Sequence, residues 1–229
     1  MAASDLRKIL IGSHNPSKIQ SLSELFAKFP EILPLSPKDL GVEVDTAETG
    51  YTMAENAELK ALAFHRAAGL AVLSADSGLY FRELPMDDPR QPGAHVRRVN
   101  GKMLEDDEMI AYYGGLAKEF GVLHACYCNA YAAVNFQGEL KVFFQDDPND
   151  PDFFEAFGFL LCSEPHPKRN PGWPLDSLSM DPFFHKYYFD IPEEAYAVQE
   201  LAQRKEKRIR FQKNLERFLQ ETFHLTAVQ

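Results

Sequence analysis

Three short stretches carry side chains that could handle a phosphorylated substrate. In Ser13-His14-Asn15-Pro16-Ser17-Lys18, a hydroxyl, an amide, backbone N–H groups and a lysine converge where a helix is expected to start. The helix dipole and its first unpaired N–H groups favour an anion at that place, so the stretch reads as an anion cradle. It is not a Gly-rich phosphate loop, because the G-x-x-x-x-G-K-[ST] pattern is absent. The second stretch is Glu48-Thr49-Gly50, followed by Glu55-Asn56-Ala57 and then Lys60. Glu55 also reads as a capping acid, and Lys60 as a solvated helix residue. The third is Ser74-Ala75-Asp76-Ser77-Gly78-Leu79, directly after a run that reads as a buried strand. Carboxylates past the C-terminal end of such strands are where open α/β sheets hold ligands, and their hard oxygens suit Mg²⁺ bridging phosphates. Taken alone, Asp76-Ser77-Gly78 is a simple turn.

These stretches must be placed by the elements around them. The apolar run at residues 8–12 predicts a buried strand, and Ile19, Leu22, Leu25, Phe26 and Phe29 give residues 16–29 a helical spacing. Pro16 suits the first helical turn and Asn15 the cap before it. A short strand is expected at residues 32–36. Thr52 and Glu55 form a capping box for a second helix that stops at Gly69, and residues 70–73 resume as a strand. Residues 85–101 are rich in turns, and 105–120 are helical with a weak point at Gly114-Gly115. Strands at 124–134 and 139–145 flank a hairpin at Asn135-Phe-Gln-Gly138, and 153–162 could add a third strand. The acidic stretch 146–152 reads as a solvated turn and 163–182 as a proline-bearing loop. A last helix is expected from Glu193 to about Thr222, with Leu201, Ile209, Leu215, Phe218 and Leu219 on its apolar side. Helices and strands alternate early and strands cluster late, so the class is α/β with a mixed sheet.

Composition narrows the field further. A chain of 229 residues, 45% apolar and 25% charged, suits one domain or two tightly joined lobes. Its formal net charge of −10 argues against gripping DNA or RNA backbones. A small anionic substrate stays open, because at a Debye length of about 8 Å the side chains beside a phosphate matter more than the total charge. The longest apolar runs fall short of the roughly 20 residues that span a bilayer, so no membrane is expected. A start without a secretory pattern and only three cysteines point to the reduced cytoplasm. Cys126 and Cys128, two apart on an expected strand with no matching histidine pair, read as core residues rather than zinc ligands. No nucleophilic triad can be read from spacing.

The order and wording of the stretches change what they mean together. Residues 13–18, then Glu48-Thr49-Gly50 with Glu55-Asn56-Ala57 and Leu59-Lys60-Ala61, then Ala75-Asp76-Ser77-Gly78-Leu79, then Pro92-Gly93 and Arg98, resemble the inosine triphosphate pyrophosphatase family, also called XTP/dITP diphosphatases. The likeness is good over residues 8–98 and returns at Gly172-Trp173-Pro174-Leu175-Asp176, which is similar to the family's base-pocket loop. The resemblance implies residues 1–229 as one nucleotide pyrophosphatase-like domain: an elongated two-lobed α/β fold, with a central mixed sheet, flanking helices and a cleft between lobes, usually as a homodimer. It implies Mg²⁺-dependent hydrolysis of non-standard purine nucleoside triphosphates to monophosphate and pyrophosphate, with Mn²⁺ as the alternative ion. By position, Ser13, His14, Asn15, Lys18, Lys60 and Ser77 would hold the triphosphate, and Glu48 and Asp76 the metal. Asp76 and Lys60 would serve catalysis, and Trp173 and Asp176 would face the base.

Three features depart from the family. Ala75 stands where it usually carries the first of two adjacent acids, so turnover is expected to be slow unless Asp76, Glu48 or Glu55 positions the water. The Ser-His-Arg triplet that reads the base near the last helix is absent after Glu193; the basic run at residues 204–210 occupies that region, either as a solvated face or with Lys205, Lys207 or Arg210 reaching the ligand. Prolines in 163–174 suggest a reshaped pocket. The alternatives are therefore a catalytically weakened nucleotide-binding protein and a hydrolase of a different phosphorylated nucleotide.

Overall fold

A computed structural model describes residues 6–45, 49–144, 147, 149–170, 172–192, 194–195 and 201–226. The chain opens with strand β1 (Arg7–Ile11), helix α1 (Pro16–Glu24), strand β2 (Ile32–Leu35), a short helix α2 (Pro37–Leu40), helix α3 (Met53–Ala68) and strand β3 (Ala71–Phe81). A small hairpin of β4 (Arg98–Val99) and β5 (Lys102–Met103) precedes helix α4 (Asp106–Phe120) and strands β6 (Leu123–Val134) and β7 (Leu140–Phe144). Helix α5 (Pro151–Phe157), strands β8 (Phe159–Leu161), β9 (Ser179–Asp181) and β10 (Lys186–Tyr187), and helix α6 (Leu201–Phe223) complete it.

The main sheet runs β10-β9-β8-β6-β3-β1-β2, with β7 paired to β6. Strands β2 and β3 lie parallel to β1, whereas β7 and β8 are antiparallel to β6 and β9 is antiparallel to both β8 and β10. The expected α/β class with a central mixed sheet is the observed one. The chain divides into two compact units, Met1–Ser77 with Asn129–Gln145 and Arg210–Gln229, and Gly78–Cys128 with Asp146–Ile209.

In the first unit Ile9, Ile11, Leu22, Phe26, Phe29, Leu73, Ala75, Leu219 and Phe223 form one buried apolar cluster. Ala71, Leu73 and Ala75 face it, so strand alternation turns Val72, Ser74 and Asp76 to the opposite face. The core of the second unit gathers Leu79, Phe81, Met109, Tyr113, Leu116, Leu123, Phe159, Leu161 and Leu178. All three cysteines are buried and reduced, with Cys126 Sγ and Cys128 Sγ 3.9 Å apart, as core residues would be.

Several sequence expectations need correction. Helix α1 ends at Glu24 rather than reaching residue 29, because the chain tightens there into three-residue turns: Phe26 N–H donates to Ser23 O and Phe29 N–H to Phe26 O. The Asp76-Ser77-Gly78 stretch is no turn; β3 runs unbroken through it for 11 residues. The first half of the strand expected at 153–162 is helix α5, since Pro151 fills the first helical position and the Asp150 carboxylate accepts from the N–H groups of Asp152 and Phe153. The 163–182 loop contains a 3₁₀ turn, Pro174–Leu178, and β9. On α6 the buried side is Phe211, Leu215, Leu219 and Phe223, while Ile209 is 39% exposed; the Leu201 side chain lies outside the described residues.

Helix α4 is formed as expected and runs unbroken through Gly114-Gly115, where the two glycines differ. A Cβ on Gly114 would sit 2.9 Å from the Ser163 carbonyl oxygen, whereas nothing lies within 4 Å of one on Gly115. Gly115→Ala is therefore expected to stabilise the protein by about 0.5–1 kcal/mol, through helix propensity alone. Gly114→Ala should lose that gain and more, since crowding a packed contact costs about 1–3 kcal/mol. Melting curves of the two variants with the same sign of shift would contradict this packing.

Candidate active site

The first unit builds a polar centre at the C-terminal end of β1. Past Ile11, Gly12 N–H donates to Leu73 O and the Ser74 hydroxyl to Gly12 O, so the chain leaves the sheet beside β3 just before Asp76. Ser13 is nearly buried, and its hydroxyl accepts from Asn15 N–H at 3.1 Å. The Asn15 side chain caps α1, accepting from Ser17 N–H at 2.9 Å and Lys18 N–H at 3.3 Å. His14 is exposed; its Nε2 donates to Val44 O at 3.0 Å, and its ring lies 5.3 Å from that of Phe64. This bond ties the cradle loop to the segment after α2.

Helix α3 supplies the other side. Its capping box is formed as expected: Thr52 Oγ1 accepts from Glu55 N–H and the Glu55 carboxylate from Thr52 N–H, while Gly69 ends the helix in a left-handed conformation at φ 66°. Glu55 also accepts from Tyr51 N–H, so this acid is committed to the helix start. Asn56, the next residue of the helix, and Lys60, one turn further, point to Asp76. The carboxylate is 4% exposed and Lys60 only 8%, which excludes a solvated helix residue. Lys60 Nζ donates to Asp76 Oδ1 at 2.6 Å, Lys18 Nζ stands 3.8 Å from the same oxygen, and Asn56 Nδ2 donates to Oδ2 at 3.3 Å. Two lysines and an amide thus keep a buried carboxylate compensated, which a lone buried charge could not survive.

Ser13, Asn15, Lys18, Lys60 and Asp76 therefore come together, and Ser77 follows in β3 with its hydroxyl donating to Asn129 Oδ1 at 2.8 Å. Asn129 was not singled out from the sequence, although an amide inside the apolar run of β6 is a visible break in that pattern. Glu48 lies outside the described residues. Ala75 faces the apolar cluster, on the strand face opposite Asp76.

Trp173 and Asp176 belong to the second unit. Trp173 is 41% exposed, on a loop held where Gly172 N–H donates to Asp106 Oδ2 and Arg97 pairs with Asp106 Oδ1 at 2.7 Å. Asp176 accepts from Asn170 Nδ2 at 2.8 Å, but burial outweighs that bond and lifts its carboxyl above the usual range. Burial and the negative Asp176 push the Tyr127 phenol up strongly as well. Part of the basic run at the start of α6 makes contacts with neighbouring elements. Arg204 pairs with Asp181, Lys207 with Asp152 and Glu155, and Arg208 Nε donates to Ala156 O. Arg204 is thereby structural, whereas Lys205, Arg208 and Arg210 are exposed, which agrees with the solvated face that the sequence offered as one of its two readings.

Residues 9–146 match the Ham1 family, and the chain belongs to it. It is 42% identical over 109 residues to a dITP/XTP pyrophosphatase of Prochlorococcus marinus, covering 46% of this chain and 52% of that protein. Over 96 residues it is 35% identical to one of Thermoanaerobacter pseudethanolicus, covering 42% and 46%. The chain thus spans about half the length of the relatives it matches in sequence. In fold it is similar to a Ham1 protein from Coxiella burnetii, with a TM-score of 0.62 and 23% identity over 94% of this chain and all of that one. The Staphylococcus aureus Ham1 protein gives 0.58 and 22%, over 92% and 98%.

Proposed function

We propose that this protein hydrolyses nucleoside triphosphates, of the non-standard purine class, to the monophosphate and pyrophosphate with a divalent metal ion. The observation that carries the reading is the buried Asp76 carboxylate, held by Lys60, Lys18 and Asn56 beside the start of α1, in a chain whose relatives are named dITP/XTP pyrophosphatases.

The donor set fits Mg²⁺, or Mn²⁺, bound mainly through the substrate. Among the described residues no group of three or more His, Cys, Asp or Glu could cage a metal, and Mg²⁺ is ordinarily held by one or two carboxylates together with phosphates. Asp76 and Glu48 are the residues that would hold it. Bound there, it would neutralise charge on the phosphates. The Lys18 pair is the longer and more exposed of the two, so Lys18 is the cation that exchanges Asp76 for a phosphate oxygen, while Lys60 stays with Asp76. Ser13, His14, Asn15 and Ser77 complete the phosphate contacts, Asp76 orients the attacking water, and Trp173 and Asp176 serve base recognition.

A second reading, a weakened nucleotide-binding protein, is favoured by Ala75, which lies in a buried apolar cluster where an acid would be expected. Pyrophosphate release from a panel of nucleotides decides between the two. Release from inosine or xanthosine triphosphate, abolished by EDTA and restored by Mg²⁺ or Mn²⁺, is the expected result. Tight binding with no release from any nucleotide gives the second reading, and full activity in EDTA removes the metal.

A further inference from the structure

Asn56 is 1% exposed, deep in the first unit, and both ends of its amide are engaged. Its Oδ1 accepts from Gly50 N–H at 2.8 Å while its Nδ2 donates to Asp76 Oδ2 at 3.3 Å. The two partners demand opposite chemistry, one an acceptor and the other a donor, so the orientation of the amide is fixed by its surroundings. The approach on the Gly50 side is close. A Cβ on Gly50 would lie 2.7 Å from Asn56 Oδ1, 2.8 Å from Glu55 Cβ and 2.9 Å from Asn56 N, so a side chain at position 50 must displace the amide. Gly50 is itself buried, on the segment that enters α3.

We infer that Asn56 is the positioning residue of this centre, a single amide that sets the Asp76 carboxylate and the backbone at Gly50 together. The inference rests on the proposed function for its catalytic meaning, but the linkage is a physical property of the fold. Lys60 and Lys18 both approach Oδ1, and among the described residues Asn56 is the partner seen on Oδ2. Without it the carboxylate can rotate about its last bond while its charge stays compensated. Orientation is lost before the ion pair is.

Asn56→Asp separates the two roles, because it keeps the shape and the acceptor for Gly50 N–H yet removes the donor and sets a second carboxylate against Asp76. Gly50→Ala displaces the amide without changing its chemistry. Both variants, once circular dichroism shows them folded, are expected to lose about tenfold to a hundredfold in kcat. KM for the nucleotide should move by no more than about threefold, since the phosphate cradle is untouched. A folded Asn56→Asp protein with wild-type kcat overturns the inference. A separate readout stands whether or not the protein turns over any nucleotide. Asn56→Asp should lower the melting temperature by about 3 °C or more. In the double variant Asn56→Asp, Asp76→Asn, the like charges are gone and an amide again faces a carboxylate, so its loss should be clearly smaller than the sum of the two single losses. Additive losses break the linkage even if the wild type is an active pyrophosphatase. Non-additive losses with no pyrophosphate from any nucleotide keep the linkage and remove the proposed function.

Discussion

Asp76→Asn is expected to abolish metal-dependent pyrophosphate release, with a fall of about 10² to 10⁴ in rate, the range for losing a positioned acid or base. The same change should destabilise the protein. Lys60 is 8% exposed, and Asp76 is the carboxylate its ammonium group touches at 2.6 Å. Removing one partner of a buried pair costs about 3–5 kcal/mol. The asparagine oxygen can still accept from Lys60, which places the cost at the lower end of that range. Loss of activity through unfolding and loss through chemistry are separated by Asp76→Glu, which keeps the charge and moves the oxygens by one methylene. That variant should fold, bind nucleotide and remain at least about tenfold slower, because displacement of a reacting group alone is enough to lose that much. If Asp76→Asn is folded and turns over within about tenfold of the wild type, the carboxylate is not the centre of the reaction.

The parts of this centre that are local in the chain were legible from sequence. Asn15 before Pro16, the Thr52 and Glu55 capping box and Gly69 as a stop are decided by hydrogen bonds within four residues, and each is formed as expected. What joins them is not local. Lys60 meets Asp76 across 16 residues and Ser77 meets Asn129 across 52, and no periodicity encodes such a pairing. The length of β3 was missed for a similar reason. A strand buried on both faces loses its alternation, and Asp76, Ser77 and Gly78 mimic a turn unless their partners across the sheet are known. Ala75 shows the limit from the other side. Adjacent positions in a strand face opposite ways, so its neighbourhood to Asp76 in sequence is not one in space. In α5 the apolar residues Phe153, Phe154 and Ala156 suit a strand or a helix equally, and the capping carboxylate of Asp150 decides for the helix.

The second large effect concerns a pair that carries no proposed chemistry. Asp181 is fully buried, and its Oδ2 accepts from Arg204 at 2.9 Å while its Oδ1 accepts from the N–H groups of Phe183 and Phe184. The Arg204 guanidinium spends its other donors on Ala156 O and Gly158 O, so the start of α6 is fastened to the end of α5 and to β9 by one satisfied network. From sequence, Arg204 was simply the first residue of a basic run. Asp181→Ala strands the arginine in a site where its side chain is 11% exposed, and also frees the two N–H groups beyond β9. The expected cost is about 3–5 kcal/mol, against a total stability of about 5–15 kcal/mol. At about 2–4 °C per kcal/mol for a chain of this size, the melting temperature should fall by about 6–20 °C. Arg204→Met should cost a similar amount, because it leaves the carboxylate unpaired instead. Neither loss should be reproduced by high salt in the wild type, since the pair is shielded from solvent, whereas the exposed contacts of Lys207 with Asp152 and Glu155 are open to screening. A melting temperature for Asp181→Ala within about 2 °C of the wild type would mean that this network does not hold the second unit together.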